Sequence, residues 1–476
     1  MRSAAVILVT AMRAIAQDAW THAAATPHRV SIADTAVLPE LSTEAWLYDA
    51  GGVFEAIPQV SPVISSDGVV VVLGLLDGHA NAIALEAGTG EELWRAPVDA
   101  PVLLSWSSPA LEGVRGGGFV IVTTGSSAVA LDLGNGAELW RAALGQPVVN
   151  ASPAIDADNG VVRLTTYDPF GGGARLLMLD AADGEVIDEV TIGSASGATP
   201  AVDGPRVFVA LADGSIKAFE HDTEAWTASN PIGFFGGIAY EGGSLFAASY
   251  AFSGGRDNSN MVKLDAATGD ELWAIACERT DATPIPLGDG RVVLSAGLEG
   301  FGSLPTIQLF NDRATTAERV WDLATETWDD LNADGRIDPG EYLALGGWDH
   351  QPAAIRTPDG VALLVGAPDG GLALVDLDAH PAGAEFVHAR TDLGGGSPAI
   401  AQGIAVSMWG DHVVAFALDP TCFADFDGDG SLTIFDFLAF QNAFDAGDLA
   451  ADCDGDGTPT IFDFLCFQNA FDAGCA

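Results

Sequence analysis

From about residue 60 to 420 the chain runs in short alternations of apolar and polar positions, each closed by a turn of Gly, Asn or Asp. The segment AIALEAGTGEELWRAPV at 82–98 returns as AVALDLGNGAELWRAAL at 128–144 and as MVKLDAATGDELWAIAC at 261–277. Fainter copies are LLMLDAADGEVIDEV, IKAFEHDTEAWTAS, IQLFNDRATTAERVWDL and LALVDLDAHPAGAEFVH. Each copy reads as a half-buried strand, an acidic residue, a turn, and a second strand opened by an aromatic residue. Period-two alternation around a Gly or Asn turn predicts a β-hairpin.

A second marker keeps the same beat. A small residue precedes proline at Ser61-Pro62, Ser108-Pro109, Ser152-Pro153, Thr199-Pro200, Thr283-Pro284 and Ser397-Pro398, with Gln351-Pro352 as a variant. Strands such as VVVVLGLL, GFVIVTTG and RVFVALADG follow it. Pro62, Pro109, Pro153 and Pro200 are 47, 44 and 47 residues apart, and the 84 residues from Pro200 to Pro284 hold two units. Four strands repeated at that period predict the blades of a β-propeller.

Eight units are counted; seven would require merging two weak ones. The eighth, SPAIAQGIAVSMWGDHVVAFALDP, stops before its last strand. The missing strand is found near the start of the chain as TEAWLYDA, with Trp46 in the tryptophan position. An N-terminal strand completing the last blade would remove an open sheet edge. The expected class is all-β, with an eight-bladed propeller over 17–420 and a small helical domain over 421–476.

These repeats carry a family resemblance. Ala84, Glu86, Thr89, Gly90 and Trp94 match the A-x-[DE]-x-x-T-G-x-x-x-W signature of pyrroloquinoline-quinone-type (PQQ-like) propellers, and Asp265, Thr268, Gly269 and Trp273 repeat it with Val262 in place of the alanine. The resemblance covers most of residues 40–420. It implies that Trp94, Trp140, Trp226 and Trp273 pack between blades. The family it resembles includes both quinoprotein alcohol dehydrogenases and a non-catalytic scaffold of outer-membrane barrel assembly.

Composition narrows the function. Lys and Arg total 19 against 66 Asp and Glu, for a formal net charge of −47. Such a field repels nucleic acid and anionic lipid. It keeps the protein soluble in a salty or calcium-rich medium, or it attracts a cationic partner. Arg2, the apolar SAAVILVTAM and the small-residue AIAQ read as a signal peptide over 1–16, cut after Ala16. No later stretch is long and apolar enough for a transmembrane helix. An exported protein, extracellular or attached to the cell surface, is expected.

Catalytic chemistry is sparse in the propeller. A quinoprotein dehydrogenase resembling its family would show an adjacent cysteine pair, but Cys277 is the one cysteine in this region. The aspartates at Asp132, Asp180 and Asp265 occupy turn positions, and the eight histidines are scattered. Neither PFGGGAR nor FSGGRDN opens a helix as a phosphate cradle would. Pyrroloquinoline quinone is therefore not expected as a cofactor, and a dehydrogenase is the alternative to a binding scaffold.

One insertion breaks the rhythm. Pro284 and Pro352 are 68 residues apart, and the surplus at 326–346 contains Asp330, Asn332, Asp334, Gly335, Arg336, Asp338 and Glu341. These fall at positions 1, 3, 5, 6, 7, 9 and 12 of an EF-hand calcium loop. Calcium takes six to eight oxygens, and a glycine permits the sharp turn. Arg336 would contribute its backbone carbonyl, and Pro339 suits the first turn of a helix starting there.

The last fifty-odd residues write one phrase twice, ADFDGDGSLTIFDFLAFQNAFDAGD and ADCDGDGTPTIFDFLCFQNAFDAGC. Asp425, Asp427, Asp429, Ser431, Thr433 and Asp436 hold the ligand positions of one calcium loop; Asp452, Asp454, Asp456, Thr458, Thr460 and Asp463 hold those of the other. A helix follows each loop, and none precedes it. Two such loop–helix units ending in FDAGC resemble a dockerin-type module. That resemblance implies calcium at both loops and a protein partner, cohesin-like or a cell-surface receptor. It places partner contacts at Ile434, Phe435, Ile461 and Phe462, which are bulkier than a standard cohesin contact. Pro459 in the second loop removes an N–H that normally ties paired loops. Cys422, Cys453, Cys466 and Cys475 suit disulfides in a small exported module, and three connectivities are open.

Overall fold

The computed structural model describes residues 19–476 except 36, 40, 52, 100–104, 169–172, 195–196, 419–423, 425, 427–431, 447–450, 452–459 and 474–476. It divides into two compact units, one of residues 1–36 and 41–416, the other of 37–40 and 417–476. The signal-peptide reading falls outside the described residues.

Among the described residues the larger unit consists of eight sheets, six of four strands and two of five. In seven of them four antiparallel strands follow one another in chain order, and the eighth takes its outer strand from the start of the chain. Ala110–Glu112, Phe119–Thr124, Ser127–Asp132 and Glu138–Ala143 form a representative blade. First strands of successive blades neighbour one another, which places them around a common axis. Strand Trp46–Tyr48 pairs antiparallel with His412–Ala417, with Trp46 opposite Ala415, in one sheet with Ile404–Trp409 and Ala399–Ala401. The apolar positions of the alternating strands meet between sheets. Trp140, Leu164 and Leu177 share one such layer, and Trp273, Phe246 and Phe310 another.

The tryptophan motif acquires its physical reason here. Trp46, Trp94, Trp140 and Trp226 each donate an indole N–H to a carbonyl in the next blade: Ala87 at 2.7 Å, Leu133 at 2.9 Å, Ala181 at 2.9 Å and Ala266 at 3.2 Å. Each ring lies over the glycine of that blade's hairpin turn, where a Cβ would clash with it at Gly90, Gly136, Gly184 and Gly269. An aromatic ring that also satisfies its polar atom serves as an inter-blade peg.

The smaller unit holds two helices, Ile434–Ala446 and Ile461–Ala473. Their shared core is phenylalanine. Phe440 and Phe467 are fully buried and stack at 4.0 Å between ring centroids, with Phe437, Phe444, Phe464 and Phe471 packed around them. The duplicated sequence thus contributes equivalent residues from both copies to one core.

Candidate functional site

The small-residue–proline marker lies at the start of each first strand and builds a ring around the axis. Ser61 N donates to Ser108 Oγ at 2.9 Å, Ser108 N to Ser152 Oγ at 2.9 Å, and Ser152 N to Thr199 Oγ1 at 3.0 Å. Thr283 N donates to Gln351 Oε1 at 2.8 Å, Gln351 N to Ser397 Oγ at 3.1 Å, and the Ser397 hydroxyl to the Gln59 carbonyl at 3.2 Å. Gly237 takes the place of the small polar residue in the fifth blade, where a Cβ would meet Thr283 Oγ1 at 2.2 Å. Side-chain acceptors therefore tie blade to blade where no strand ladder can.

A feature that periodicity does not announce occupies the axis itself. Residues 20–34 wind through the channel and pair with first strands in turn. The N–H three residues after the ring position is the donor in six blades: Ile64 to Trp20 O, Leu111 to Thr21 O, Val202 to Pro27 O, Tyr240 to His28 O and Ala354 to Ser31 O, all at 2.7–2.9 Å, and Ile155 to His22 Nε2 at 3.0 Å. In the sixth blade that position is Pro286, which has no N–H to give. Ile32–Asp34 then runs parallel to Ala353–Thr357 as a fifth strand. Inner strand edges would otherwise expose unpaired backbone groups along the channel.

Two side chains fix this segment. Arg29 is fully buried and donates to four carbonyls: Nε to Pro200 at 2.9 Å, Nη1 to Ala23 at 3.1 Å, and Nη2 to Pro153 at 2.8 Å and Ser152 at 3.3 Å. Burial lowers its pKa to about 9. His22 is also buried. Desolvation, followed by the charges of Arg29 and His28, holds its pKa well below the ordinary 6.5, which suits a neutral ring accepting a backbone N–H.

Where the first strands begin, a cavity of about 60 Å³ remains above the segment, with Ala23, Ala24 and Arg29 among its lining. Its walls include Trp106, Phe235, Asp281 and Asp349. Asp349 is tied down: His350 Nδ1 lies 2.9 Å from its Oδ1, and Gln59 Nε2 donates to its Oδ2 at 2.8 Å. Although burial works the other way, these contacts keep it below the ordinary carboxylate range. Asp281 differs. Its buried Oδ1 has no hydrogen-bond partner, and burial, then the charge of Asp349, pushes its carboxyl well above 3.8. Trp106, Trp348, Tyr250, Phe252 and Phe235 form a continuous aromatic cluster beside it, with centroids 4.9–6.1 Å apart. At the other end of the channel a cavity of about 340 Å³ is lined by His28, Ile32, Tyr240, Glu241, Pro286 and Arg356.

The insertion folds as a tight loop. Asp330 accepts the N–H groups of Asp334 and Gly335, at 3.1 Å each; Asn332 Oδ1 accepts from Asp334 N at 2.9 Å, and Asp334 Oδ1 from Arg336 N at 2.8 Å. Asn332 Nδ2 donates to Asp338 at 3.0 Å. Glu341 is buried and accepts from Asn332 N and Trp328 Nε1, both at 3.2 Å. Gly335 at φ +76° makes the turn. No helix begins at Pro339, which corrects the expectation from sequence. Gly340 at φ +88° turns the chain, and Leu345 is drawn into the propeller core instead.

In the tail, Asp425, Asp427, Asp429, Ser431, Asp452, Asp454, Asp456 and Thr458 lie outside the described residues, as do Pro459, Cys422, Cys453, Cys475 and the side chain of Phe462. The described ligand positions pair as helix caps. Asp436 accepts from Thr433 N at 2.7 Å and Asp463 from Thr460 N at 2.6 Å, and both carboxylates are fully buried. This is the reach-back half of a capping box, so positions 9 and 12 also start the helices. Ile434, Phe435 and Ile461 are 62–64% exposed, and Leu438 and Leu465 are half exposed beside them. Of the four tail cysteines, Cys466 alone is described, on the second helix. Cys277 is free and buried, and burial raises its thiol pKa. Among the described residues no group of three or more His, Cys, Asp or Glu side chains stands gathered at metal-holding distance.

Sequence reading missed the axial segment and the Asp281 cavity. Residues 19–35 lack the repeat period, and Asp281 lies outside the hairpin motif, so neither carries a local signal. The run Trp20-Thr21-His22 and the lone Arg29 were the available hints.

The family model described as outer membrane protein assembly factor BamB (PQQ_2) matches residues 17–210 and 212–379. No curated protein sequence matches the chain. Among solved structures, BamB from Moraxella catarrhalis superposes with a TM-score of 0.52 at 16% identity, over 78% of this chain and 100% of that one. A europium-containing methanol dehydrogenase gives 0.58 at 11% identity, over 84% and 98%. The quinohemoprotein alcohol dehydrogenase from Comamonas testosteroni gives 0.57 at 13%, over 86% and 81%. At these identities the likeness is one of fold.

Proposed function

Because the chain belongs to the family of the outer membrane protein assembly factor BamB, we propose that its propeller is a non-catalytic binding scaffold, exported and held to a protein partner by a calcium-folded tail. The observation that carries this reading is the filled axial channel. Residues 20–34 take up the space along the axis, and about 60 Å³ remains at the mouth. Pockets for drug-sized organic molecules run to about 300–1,000 Å³. A tricyclic quinone does not fit the volume at the mouth; among the described residues no cysteine lines that cavity or the one of about 340 Å³ at the other end, and the sequence contains no adjacent cysteine pair. The residues present do not suit pyrroloquinoline quinone.

A quinoprotein dehydrogenase is the second reading. Asp281, part-buried with its Oδ1 fully buried and lining the same cavity as Trp106, is the observation on its side. Incubation with quinone and calcium, followed by a dye-linked alcohol oxidation assay, separates the two. No turnover is expected, and turnover above the quinone blank would overturn the scaffold.

Calcium is assigned to three loops. The insertion loop is supported by the turn hydrogen bonds that Asp330, Asn332 and Asp334 make to backbone N–H groups. Asp338 would supply position 9, Glu341 would close the shell, and Arg336 would offer its carbonyl. In the tail, the buried Asp436 and Asp463 support the reading, with Thr433 and Thr460 at position 9. The exposed Ile434, Phe435 and Ile461 are the partner contacts, since an apolar surface of this kind on a small unit marks an interaction site.

A further inference from the structure

We propose that the channel mouth binds a primary ammonium group, the tip of a lysine side chain on a protein partner, between the Asp281 carboxylate and the faces of Trp106 and Phe235. This rests on the scaffold reading and names the chemistry of what the scaffold holds. Three observations converge on it. Asp281 lines the cavity, and its Oδ1 is buried without a hydrogen-bond partner. A buried carboxyl oxygen left unpaired is costly, and a donor that reaches it removes that cost. Trp106 and Phe235 line the same cavity, and aromatic faces attract a desolvated cation. About 60 Å³ admits an ammonium and its adjoining methylene, and excludes a bulky ligand.

Charge selects the sign. Asp281 and Asp349 both face the cavity, and the chain carries a formal net charge of −47. Among the described residues the one cation lining the cavity, Arg29, already spends its N–H groups on four carbonyls. Around the mouth, Phe252 is 54% exposed and packs on Phe235 and Tyr250 at 4.9 Å, which offers cover for the alkyl stem of an incoming lysine. Binding requires the ionised Asp281, so affinity rises with pH as that carboxyl loses its proton. Burial and then the charge of Asp349 set that titration, and the other titratable or charged groups around the site are His350 on Asp349, Tyr250 and Arg29.

Isothermal titration of the full chain with Nα-acetyl-lysinamide tests the site, with the Nε-acetylated compound as the uncharged control and propylammonium as the free amine. The lysine probe is expected to bind saturably, the acetylated one not, and Asp281→Asn to weaken binding at least tenfold while circular dichroism stays native. Trp106→Ala should weaken it several-fold. Equal binding of the acetylated probe, unchanged affinity in Asp281→Asn, no saturable heat from the lysine probe, or propylammonium binding tighter than the lysine probe would each overturn the proposal. A negative titration leaves the quinone assay as the separate test of the scaffold itself.

Discussion

The Trp94 indole donates its N–H to the Leu133 carbonyl of the next blade at 2.9 Å, and its ring covers the turn made by Gly136 at φ +70°. A Cβ on Gly136 would stand 2.5 Å from that ring. Gly136→Ala therefore combines a left-handed backbone penalty with displacement of the tryptophan, for a loss of about 2–4 kcal/mol. Gly160, at φ +64° with nothing within 4 Å of its Cβ position, is the matched control. Its alanine variant should lose about 1–2 kcal/mol. Denaturant unfolding of both separates packing from backbone strain, and equal losses would remove the peg from the account.

The axial segment predicts a pH dependence. His22 is buried, with its pKa below the ordinary 6.5 through desolvation and then the charges of Arg29 and His28. The unfolded chain binds that proton more readily than the folded one, so the contribution is complete above about pH 6.5 and is lost as pH falls. Stability should decline on acidification below 6.5, and His22→Gln should flatten that part of the curve. Chemical denaturation from pH 7 to 5 provides the readout.

Arg29 anchors the same segment. Its guanidinium reaches carbonyls of two blades and of its own axial segment. Hydrogen bonds to a charged donor count for more than neutral ones, and removing the donor leaves buried carbonyls unpaired. Arg29→Ala should cost about 2–4 kcal/mol and increase proteolysis near the N-terminus. Lysine should not restore the loss, because an ammonium cannot span the same fork of acceptors.

The proposed calcium site at the insertion loop would have its own optical reporter. Trp328 Nε1 lies 3.2 Å from Glu341 Oε2, so terbium held by the loop should luminesce on tryptophan excitation. The tail contains neither Trp nor Tyr and stays silent. Glu341→Gln should weaken terbium binding tenfold or more. Calcium in excess should quench the signal by competition, and an absence of sensitised emission counts against the loop.

A calorimetric scan of the full chain with and without chelator addresses the tail. The chelator should lower or abolish a transition of residues 417–476 and leave that of the propeller. A scan without any calcium-dependent transition would sink the tail assignment.

The blade repeat was legible because it is local. Alternation, a turn glycine and a tryptophan recur within about twenty residues, and Trp94, Trp140 and Trp226 play the inter-blade part that the resemblance implied. The ring of hydroxyls was visible as a Ser/Thr-Pro beat, but its purpose was not, since each hydroxyl bonds the N–H of a neighbouring blade more than forty residues away. The tight turn was readable at Asp330, Asn332 and Asp334, whose side chains accept backbone N–H groups. No helix starts at Pro339: Gly340 turns the chain at φ +88°, and Leu345 is buried in the propeller core.

By itself the sequence determined the strands and the number of blades, because these depend on spacing between near neighbours. Tertiary structure alone decided what fills the axis. Residues 20–34 have no pattern of their own, and their conformation is dictated by unpaired N–H groups that six blades present at one depth. The Asp281 cavity is likewise a product of closure, since its walls come from residues that only the finished ring brings together.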